Sequence, residues 1–243
     1  MKLEIQNPVL FKTAIEIISE LITSANLIVK EDFIEITALD PSLATLTSLK
    51  LNKSAFSQYF FTKEEIIPLD LKFLKQILKK VKKERVTIET LDNHQTKVEL
   101  INENKQSFIL PTPFLTEQRT LPLLSFPVSV LVPSKDFKEA IELAKMFSDT
   151  VTLSVENNKF TIESKEENGQ NISEISSAKI YTEDPSTEYS SKYSVDYLYK
   201  MSKAARIFPE LKLFFANYFP LKLEFNQDPF FLSFLLAPRT PSS

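Results

Sequence analysis

The chain has no cysteine, one glycine (Gly169) and one histidine (His94) among its 243 residues. Each shortage removes a class of chemistry. Without cysteine there is neither a disulfide nor a thiolate metal site, and a reducing cell interior is the natural setting. A P-loop or a dinucleotide fingerprint needs several closely spaced glycines, because only glycine lets the backbone come so near a phosphate. A catalytic zinc site draws on several histidines. His94 stands alone in a polar turn, Leu91–Gln95, where an exposed turn residue is a better reading than the base of a triad. Tight turns fall instead to Asn, Asp and Pro, as at Asp92-Asn93 and Asn157-Asn158. Long apolar runs are also missing. The longest uncharged stretch, Thr120–Ser134, is interrupted by Pro122, Pro127 and Pro133, and a spanning helix takes about 20 apolar residues. The start, MKLEIQNPVLFK, alternates apolar and polar residues and does not read as a secretion signal. Carboxylates are the catalytic inventory that remains. Pairs such as Glu64-Glu65 and Glu166-Glu167 suit Mg²⁺ or acid–base work, but each lies in a charged stretch that reads as solvated surface.

What is present is an ordinary globular composition, 43 % hydrophobic and 25 % charged, with a net charge of −3 and a pI near 5.5. A protein that grips DNA by bulk charge has a basic pI. Any DNA contact here must come from local clustering or from topology.

The most informative feature is an internal repeat. Phe11–Ile18 (FKTAIEII) and Phe137–Ala144 (FKEAIELA) agree at five of eight positions at an offset of 126. Without a gap, Asn26–Val29 falls on Thr152–Val155 and Ile34–Ile36 on Phe160–Ile162. At an offset near 124, Leu71, Leu74, Ile77 and Val81 fall on Val195, Leu198, Met201 and Ala205. Two matched helices in one order, with strands between, predict a duplicated domain.

Four helices are expected. Asn7 caps the first, with Pro8 at the position where a missing N–H costs nothing. Its apolar stripe is Phe11, Ala14, Ile15, Ile18, Ile22 and Ala25. The second opens at Asp70 and carries Leu71, Leu74, Leu78 and Val81. The third opens at Ser134 and carries Phe137, Ala140, Ile141 and Ala144. The fourth opens at Ser194 and ends before Pro209. Strand-like segments are Leu27–Leu39, Arg85–Thr90, Lys97–Ile101, Ser107–Leu110, Val151–Val155, Lys159–Glu163, Leu211–Phe215, Leu221–Phe225 and Phe230–Leu236. Single-faced helices on antiparallel sheets give an α+β fold of two similar tandem domains. The expected division is residues 1–110, a proline-rich extended connector at 111–127, and residues 128–243. The connector is too apolar for a plain linker, so Leu121, Leu123, Leu124 and Phe126 are expected to lie on something.

Positive charge is clustered. The second helix is expected to carry Lys72, Lys75, Lys79, Lys80, Lys82 and Lys83, with no acid between Leu71 and Lys83. Like charges so close repel, which a bound polyanion would relieve; an ordinary solvated face is the plainer alternative. Lys12 is repeat-equivalent to Lys138, and Lys79 to Lys203, while Lys200 and Arg206 add to the fourth helix. Together these predict a basic stripe that positions DNA without reading its sequence.

With these segments in hand, the chain resembles the proliferating cell nuclear antigen (PCNA) family of sliding clamps over nearly its whole length. The likeness is carried by Ala38–Leu46 (ALDPSLATL), Leu71–Thr87, Glu117–Pro122 (EQRTLP), Phe219–Phe225 (FPLKLEF) and Leu235–Arg239 (LLAPR). The resemblance implies a ring-forming clamp fold with helices on the inner face and antiparallel sheets outside. Three subunits, as a homotrimer or a heterotrimer, would encircle double-stranded DNA. The short length, the missing cysteines and the absence of an acidic tail look archaeal. The expected setting is then the cytoplasm, on the nucleoid, or the nucleus if the source is eukaryotic, with no membrane. No catalytic residue, metal or cofactor is implied, ATP belonging to the clamp loader. The implied DNA-facing lysines are Lys12, Lys72, Lys75, Lys79, Lys80, Lys138, Lys200 and Lys203. The third helix departs from the family, placing Glu139 and Glu142 where arginines are frequent. Either the channel is less positive there, or Lys138 and Lys145 substitute. The implied partner groove takes short peptides of DNA polymerase, flap endonuclease and DNA ligase. It comprises Leu39, Leu43, Ala44, Leu46, Leu121, Pro122, Pro220, Leu235, Ala237 and Pro238, some of which read equally well as plain core. Subunit contacts are implied along Lys105–Leu110 and Asn171–Tyr181, through Ser107, Phe108, Ile109, Leu110, Ile172, Ile175 and Ile180. A checkpoint-type clamp subunit and a carboxylate-dependent nuclease are the rival readings.

Overall fold

Asn7 and Pro8 start the first helix as their chemistry dictates: the Asn7 side chain accepts from the Leu10 N–H at 3.1 Å, and Pro8 takes the first helical position. In a computed structural model describing residues 1–91, 95–111, 113–114, 120–167 and 169–239, this helix, α1, spans Pro8–Ile18. It follows β1 (Lys2–Ile5) and precedes β2 (Ser24–Val29), β3 (Phe33–Leu39), β4 (Thr45–Asn52), β5 (Phe56–Phe60) and β6 (Glu65–Asp70). The strand-like segment Leu27–Leu39 is a hairpin. The polar residues Lys30, Glu31 and Asp32 break it, with the Lys30 N–H donating to the Phe33 carbonyl at 2.9 Å. Next come α2 (Leu71–Leu78), β7 (Arg85–Thr90), β8 (Thr96–Ile101) and β9 (Lys105–Leu110). The second half repeats the plan: β10 (Val128–Pro133), α3 (Ser134–Ala144), β11 (Thr150–Glu156), β12 (Lys159–Glu166), β13 (Gly169–Glu174), β14 (Lys179–Thr182), β15 (Tyr189–Ser194), α4 (Val195–Ser202), β16 (Glu210–Phe215), β17 (Leu221–Gln227) and β18 (Phe230–Leu236). The prediction of an α+β fold holds.

Two compact units result, one of Met1–Thr120 with Gln227–Leu232, the other of Leu121–Asn226 with Ser233–Ser243. In the first, β5-β1-β7-β8-β9 form one antiparallel sheet and β6-β2-β3-β4 pair in that order. In the second, β13-β12-β11-β15 form one sheet and β14-β10-β16-β17 pair alongside each other. Strand faces alternate, buried and open, as in β16 and β17. The predicted stripe of α1 is entirely buried, and α1 packs against α2 as α3 does against α4. Asn157 and Asn158 adopt φ of 50° and 59°, the left-handed turn that asparagine tolerates.

Where it is described, the connector forms neither helix nor strand. Phe126 lies on Phe214 and Phe219, ring centroids 5.8 and 5.6 Å away. Leu121 and Leu124 are half-buried, but Leu123 is fully exposed, so the expectation that each connector leucine rests on something fails at that residue. His94, the Asp92-Asn93 turn and residues 115–119 lie outside the described residues.

Candidate functional site

The lysine cluster divides once placed on its backbone. α2 ends at Leu78, where buried Val81 turns the chain inward and its N–H bonds to the Leu78 carbonyl at 2.9 Å. Lys79 is the C-cap, and Lys80, Lys82 and Lys83 lie in the turn beyond rather than on the helix. Glu84 fastens this turn by accepting from the Lys82 and Lys83 N–H groups at 2.5 and 2.9 Å. Those backbone bonds are the main reason its carboxyl lies below the usual range. Lys72, Lys79 and Lys80 are exposed. In this unit two of the predicted amines, those of Lys75 and Lys12, are engaged. Lys75 is half-buried and pairs with Glu20 at 3.3 Å. Lys12 donates to the carbonyls of Lys79 and Val81 at 3.3 and 3.1 Å.

In the second unit the acids of α3 are matched within the helix, Lys135–Glu139 at 3.6 Å and Lys138–Glu142 at 3.1 Å. Lys145 pairs with Asp196, whose carboxyl is thereby held below its ordinary value. The Tyr199 ring lies under both Lys145 and Lys203, at 4.4 and 5.2 Å, and Lys200 sits 5.7 Å from the Tyr197 ring. Cations over rings keep their charge while their stems are held in place.

Of the groove residues, Leu39 and Leu46 are cross-strand partners on β3 and β4, joined by the loop that carries Leu43 and Ala44. Asp40 is buried and shapes that loop, accepting from the Thr45 N–H at 2.6 Å and the Ser42 N–H at 3.1 Å. Leu43 is left 71 % exposed at φ 59°. Leu46 is 7 % exposed and belongs to the core. In the second unit Leu121, Pro220, Leu235 and Pro238 are half-buried, and Pro122 and Ala237 are exposed.

The edges are informative. Among the described residues β9 pairs with β8 alone and β13 with β12 alone, so each ends its sheet. Asn171–Tyr181 is not one edge strand: β13 and β14 lie in different sheets, and Ile180 on β14 is half-buried against β10. Ile175, 7 % exposed, anchors the turn between them, and Leu110 is buried likewise, so neither offers open surface. Phe108 is half-buried, while Ser107, Ile109 and Ile172 are exposed. Sequence reasoning missed Leu143, Met146 and Phe147, exposed by 47 %, 77 % and 40 %. The signal was there, since all three are apolar yet fall off the buried stripe of α3.

The carboxylate pairs are not one kind of solvated surface. Glu65 accepts from the N-terminal ammonium at 3.1 Å and from Thr90 at 3.0 Å, and Glu166 from Ser148 at 2.9 Å. Among the described residues no group of three or more His, Cys, Asp or Glu is placed to hold a metal ion, and no helix is long and apolar enough to cross a membrane.

Residues 1–112 match the family described as "Proliferating cell nuclear antigen, N-terminal domain". Proteins named DNA polymerase sliding clamp from Methanothrix thermoacetophila and Pyrococcus abyssi are each 31 % identical to the chain, with 94 % of either sequence covered. The crystal structure of PCNA from Thermococcus kodakaraensis superposes with a TM-score of 0.89 at 24 % identity, over 98 % of this chain and 99 % of that one. The PCNA2–PCNA3 complex from Sulfolobus tokodaii gives 0.88 at 24 % identity, over 98 % and 99 %. The clamp fold read from the sequence is thus the fold observed, and the chain belongs to the PCNA family of DNA polymerase sliding clamps.

Proposed function

We propose that this chain is a non-enzymatic clamp subunit. Three subunits close a ring around duplex DNA, placed there by a clamp loader, and the ring tethers DNA polymerase, flap endonuclease and DNA ligase through short peptides. The observation that carries the reading is family membership over 94 % of the chain. The exposed lysines Lys72, Lys79 and Lys80 on a chain of net charge −3 are consistent with it. Contacts of this kind are sequence-blind and weaken with salt, which permits sliding. Lys138, Lys200 and Lys203 would contribute on the second unit. The peptide anchors would be the exposed or half-buried apolar residues Leu39, Leu43, Ala44, Leu121, Pro122, Pro220, Leu235, Ala237 and Pro238.

The test is retention. After loading onto nicked circular plasmid, the protein is expected to stay bound at a salt concentration that strips it from the same plasmid linearised. Equal loss from both would overturn encirclement. For the groove, Leu121→Ala with Leu235→Ala is expected to weaken a peptide copied from the cognate flap endonuclease while the assembled mass stays constant. Unchanged peptide affinity would remove these leucines from the site.

A further inference from the structure

A cleft of about 410 Å³ opens beside β15 in the second unit. Its floor follows from strand alternation. Thr152 on β11 and Lys192 on β15 are direct cross-strand partners, so their side chains share one face of the sheet, and Ser190, two residues along β15, joins them. The opposite face holds Val151, Leu153 and Tyr193, which are buried, and α4 packs against the same two strands. The cleft therefore lies on the far side of this sheet from α4, the helix that carries Lys200.

Two further segments wall it. The Arg239 N–H donates to the Lys192 carbonyl at 2.7 Å, which brings a guanidinium and an ammonium to the same cleft. Opposite them, the Asn217 side chain accepts from the Ser190 N–H at 2.6 Å and donates to the Glu188 carbonyl at 3.2 Å. These bonds pin a tight turn, closed by the Phe219 N–H on the Ala216 carbonyl at 3.3 Å. Within it Tyr218 stands at φ 56° and 75 % exposed. A tyrosine in the left-handed region is uncommon and persists where its surroundings hold it. The ring is thus displayed on a fastened loop.

Charge decides what fits. Glu188 is the one acid in the lining, against Lys192 and Arg239, so the cleft keeps an excess of one positive charge on a chain of net charge −3. Lys138, Lys145 and Lys222 of this unit are each matched to an acid. Among the described residues Lys192 and Arg239 are not. With the hydroxyls of Thr152, Ser190 and Tyr218 they form a set of donors suited to carboxylates. Tyrosine and arginine are also the residue types that most often anchor a protein contact. Arg239 follows Pro238, and Tyr218 stands two residues before Pro220, both of them proposed anchors for client peptides. We propose that this cleft is a second subsite for those peptides, one that takes an acidic segment flanking the apolar anchors. The proposal rests on the groove reading for the identity of the peptide, and on Lys192 and Arg239 for its charge. Clients carrying Asp or Glu beside their anchors are then preferred over clients carrying Lys.

Fluorescence anisotropy on the full chain tests it. The flap-endonuclease peptide is extended by three glutamates, three glutamines or three lysines, at one end in a first set and at the other end in a second. In one set the native protein is expected to bind the glutamate peptide about tenfold more tightly than the lysine peptide at low salt, the preference shrinking as salt rises. Lys192→Glu with Arg239→Glu should invert that order, and Lys192→Gln with Arg239→Gln should abolish it. Both side chains are exposed, and the bond that joins their segments is made by backbone atoms. The comparison on native protein stands without either variant. No preference in either set, or a preference that survives the reversal, overturns the subsite alone. Glutamine peptides that fail to bind overturn the groove reading and the subsite with it. A reversal that lowers the salt slope of duplex binding while leaving the peptide order unchanged would assign the cleft to DNA phosphate and overturn the proposal as well.

Discussion

The ammonium of Lys12, on α1, donates to the Val81 carbonyl at 3.1 Å and the Lys79 carbonyl at 3.3 Å. It caps the C-terminal end of α2, where unpaired carbonyls concentrate negative charge. Its repeat-equivalent, Lys138, pairs instead with Glu142 on its own helix at 3.1 Å. A matched sequence position has thus taken two structural roles. Lys12→Met is expected to lower unfolding stability by about 1–2 kcal/mol, the scale for a charged hydrogen bond at a helix end. Its effect on the salt dependence of DNA binding should be small. Lys72→Ala and Lys80→Ala should do the reverse, each reducing the salt slope by about one and leaving stability alone. Urea melts and binding titrations against salt separate the two classes. A full unit of slope lost with Lys12→Met would return that lysine to the DNA-contacting set.

One carboxylate adds side-chain bonds to the backbone ladder that joins β9 to β8. Glu99 on β8 accepts from Lys105 at 2.9 Å, Lys97 at 3.2 Å and Ser107 at 3.2 Å. Burial works to raise its pKa, but the bonds from Lys105, Lys97 and Ser107 outweigh it and hold the carboxyl below its usual value of 4.5. A lowered folded pKa contributes stability that is present above 4.5 and lost as pH falls through the folded value. Amide exchange along Lys105–Leu110 should therefore accelerate below pH 4.5 before the rest of that sheet opens. Glu99→Gln should bring the same loosening at neutral pH. Protection of β9 that is indifferent to both changes would detach the strand from this carboxylate.

How much of this was legible depended on whether a signal was local. Helix starts were, because Asn7, Pro8 and Asp70 act on their own neighbours: the Asp70 side chain accepts from the Phe73 N–H at 2.8 Å. The apolar stripes were legible because they are periodic. The end of α2 was not, since Lys79–Lys83 continues the composition of the helix, and burial of Val81 with capture by Glu84 decides where it stops. Nor was the split of Asn171–Tyr181 into two sheets. Ile175 is buried beside β12, its N–H donating to the Phe160 carbonyl at 3.1 Å, a tertiary contact with no mark in the sequence. Lysine positions could be read, but their partners could not. Lys12, Lys75 and Lys138 are engaged by residues that only folding brings near, or by a choice of rotamer.

A loop under light strain displays Leu43. A branched side chain at φ 59° is uncommon outside glycine and asparagine. Asp40 holds the loop in that shape from a buried position, its carboxylate bonded to the Ser42 and Thr45 N–H groups. Leu43→Gly should relieve the backbone, keeping stability within about 1 kcal/mol of native, yet weaken binding of the flap-endonuclease peptide. Asp40→Ala should cost about 1–3 kcal/mol through the orphaned N–H groups and weaken the same peptide without touching it. Calorimetry with both variants decides the matter. Full affinity in Leu43→Gly would mean that this exposed leucine is not an anchor.

Gly169, the chain's sole glycine, does not have a positive φ. Its role lies in close approach: a Cβ there would meet Phe147 Cδ1 at 3.3 Å. The glycine thus seats the Phe147 ring against the start of β13, the strand along which the family resemblance implies a subunit contact. Gly169→Ala should move the ring by a few tenths of an ångström. The ring is 40 % exposed and free to give way, so the strain is small, and the alanine also stiffens the unfolded chain, worth about 0.4–1 kcal/mol in the opposite sense. Stability should then stay near native while the concentration for half-assembly rises. Gly169→Leu should enlarge the assembly defect several-fold, because the ring can no longer rest on that strand. Phe147→Ala should match it through loss of apolar contact. Light scattering and thermal melts on the three variants read both quantities. A fall in stability with unchanged assembly would mean that Phe147 serves the fold of its own unit rather than the contact between copies.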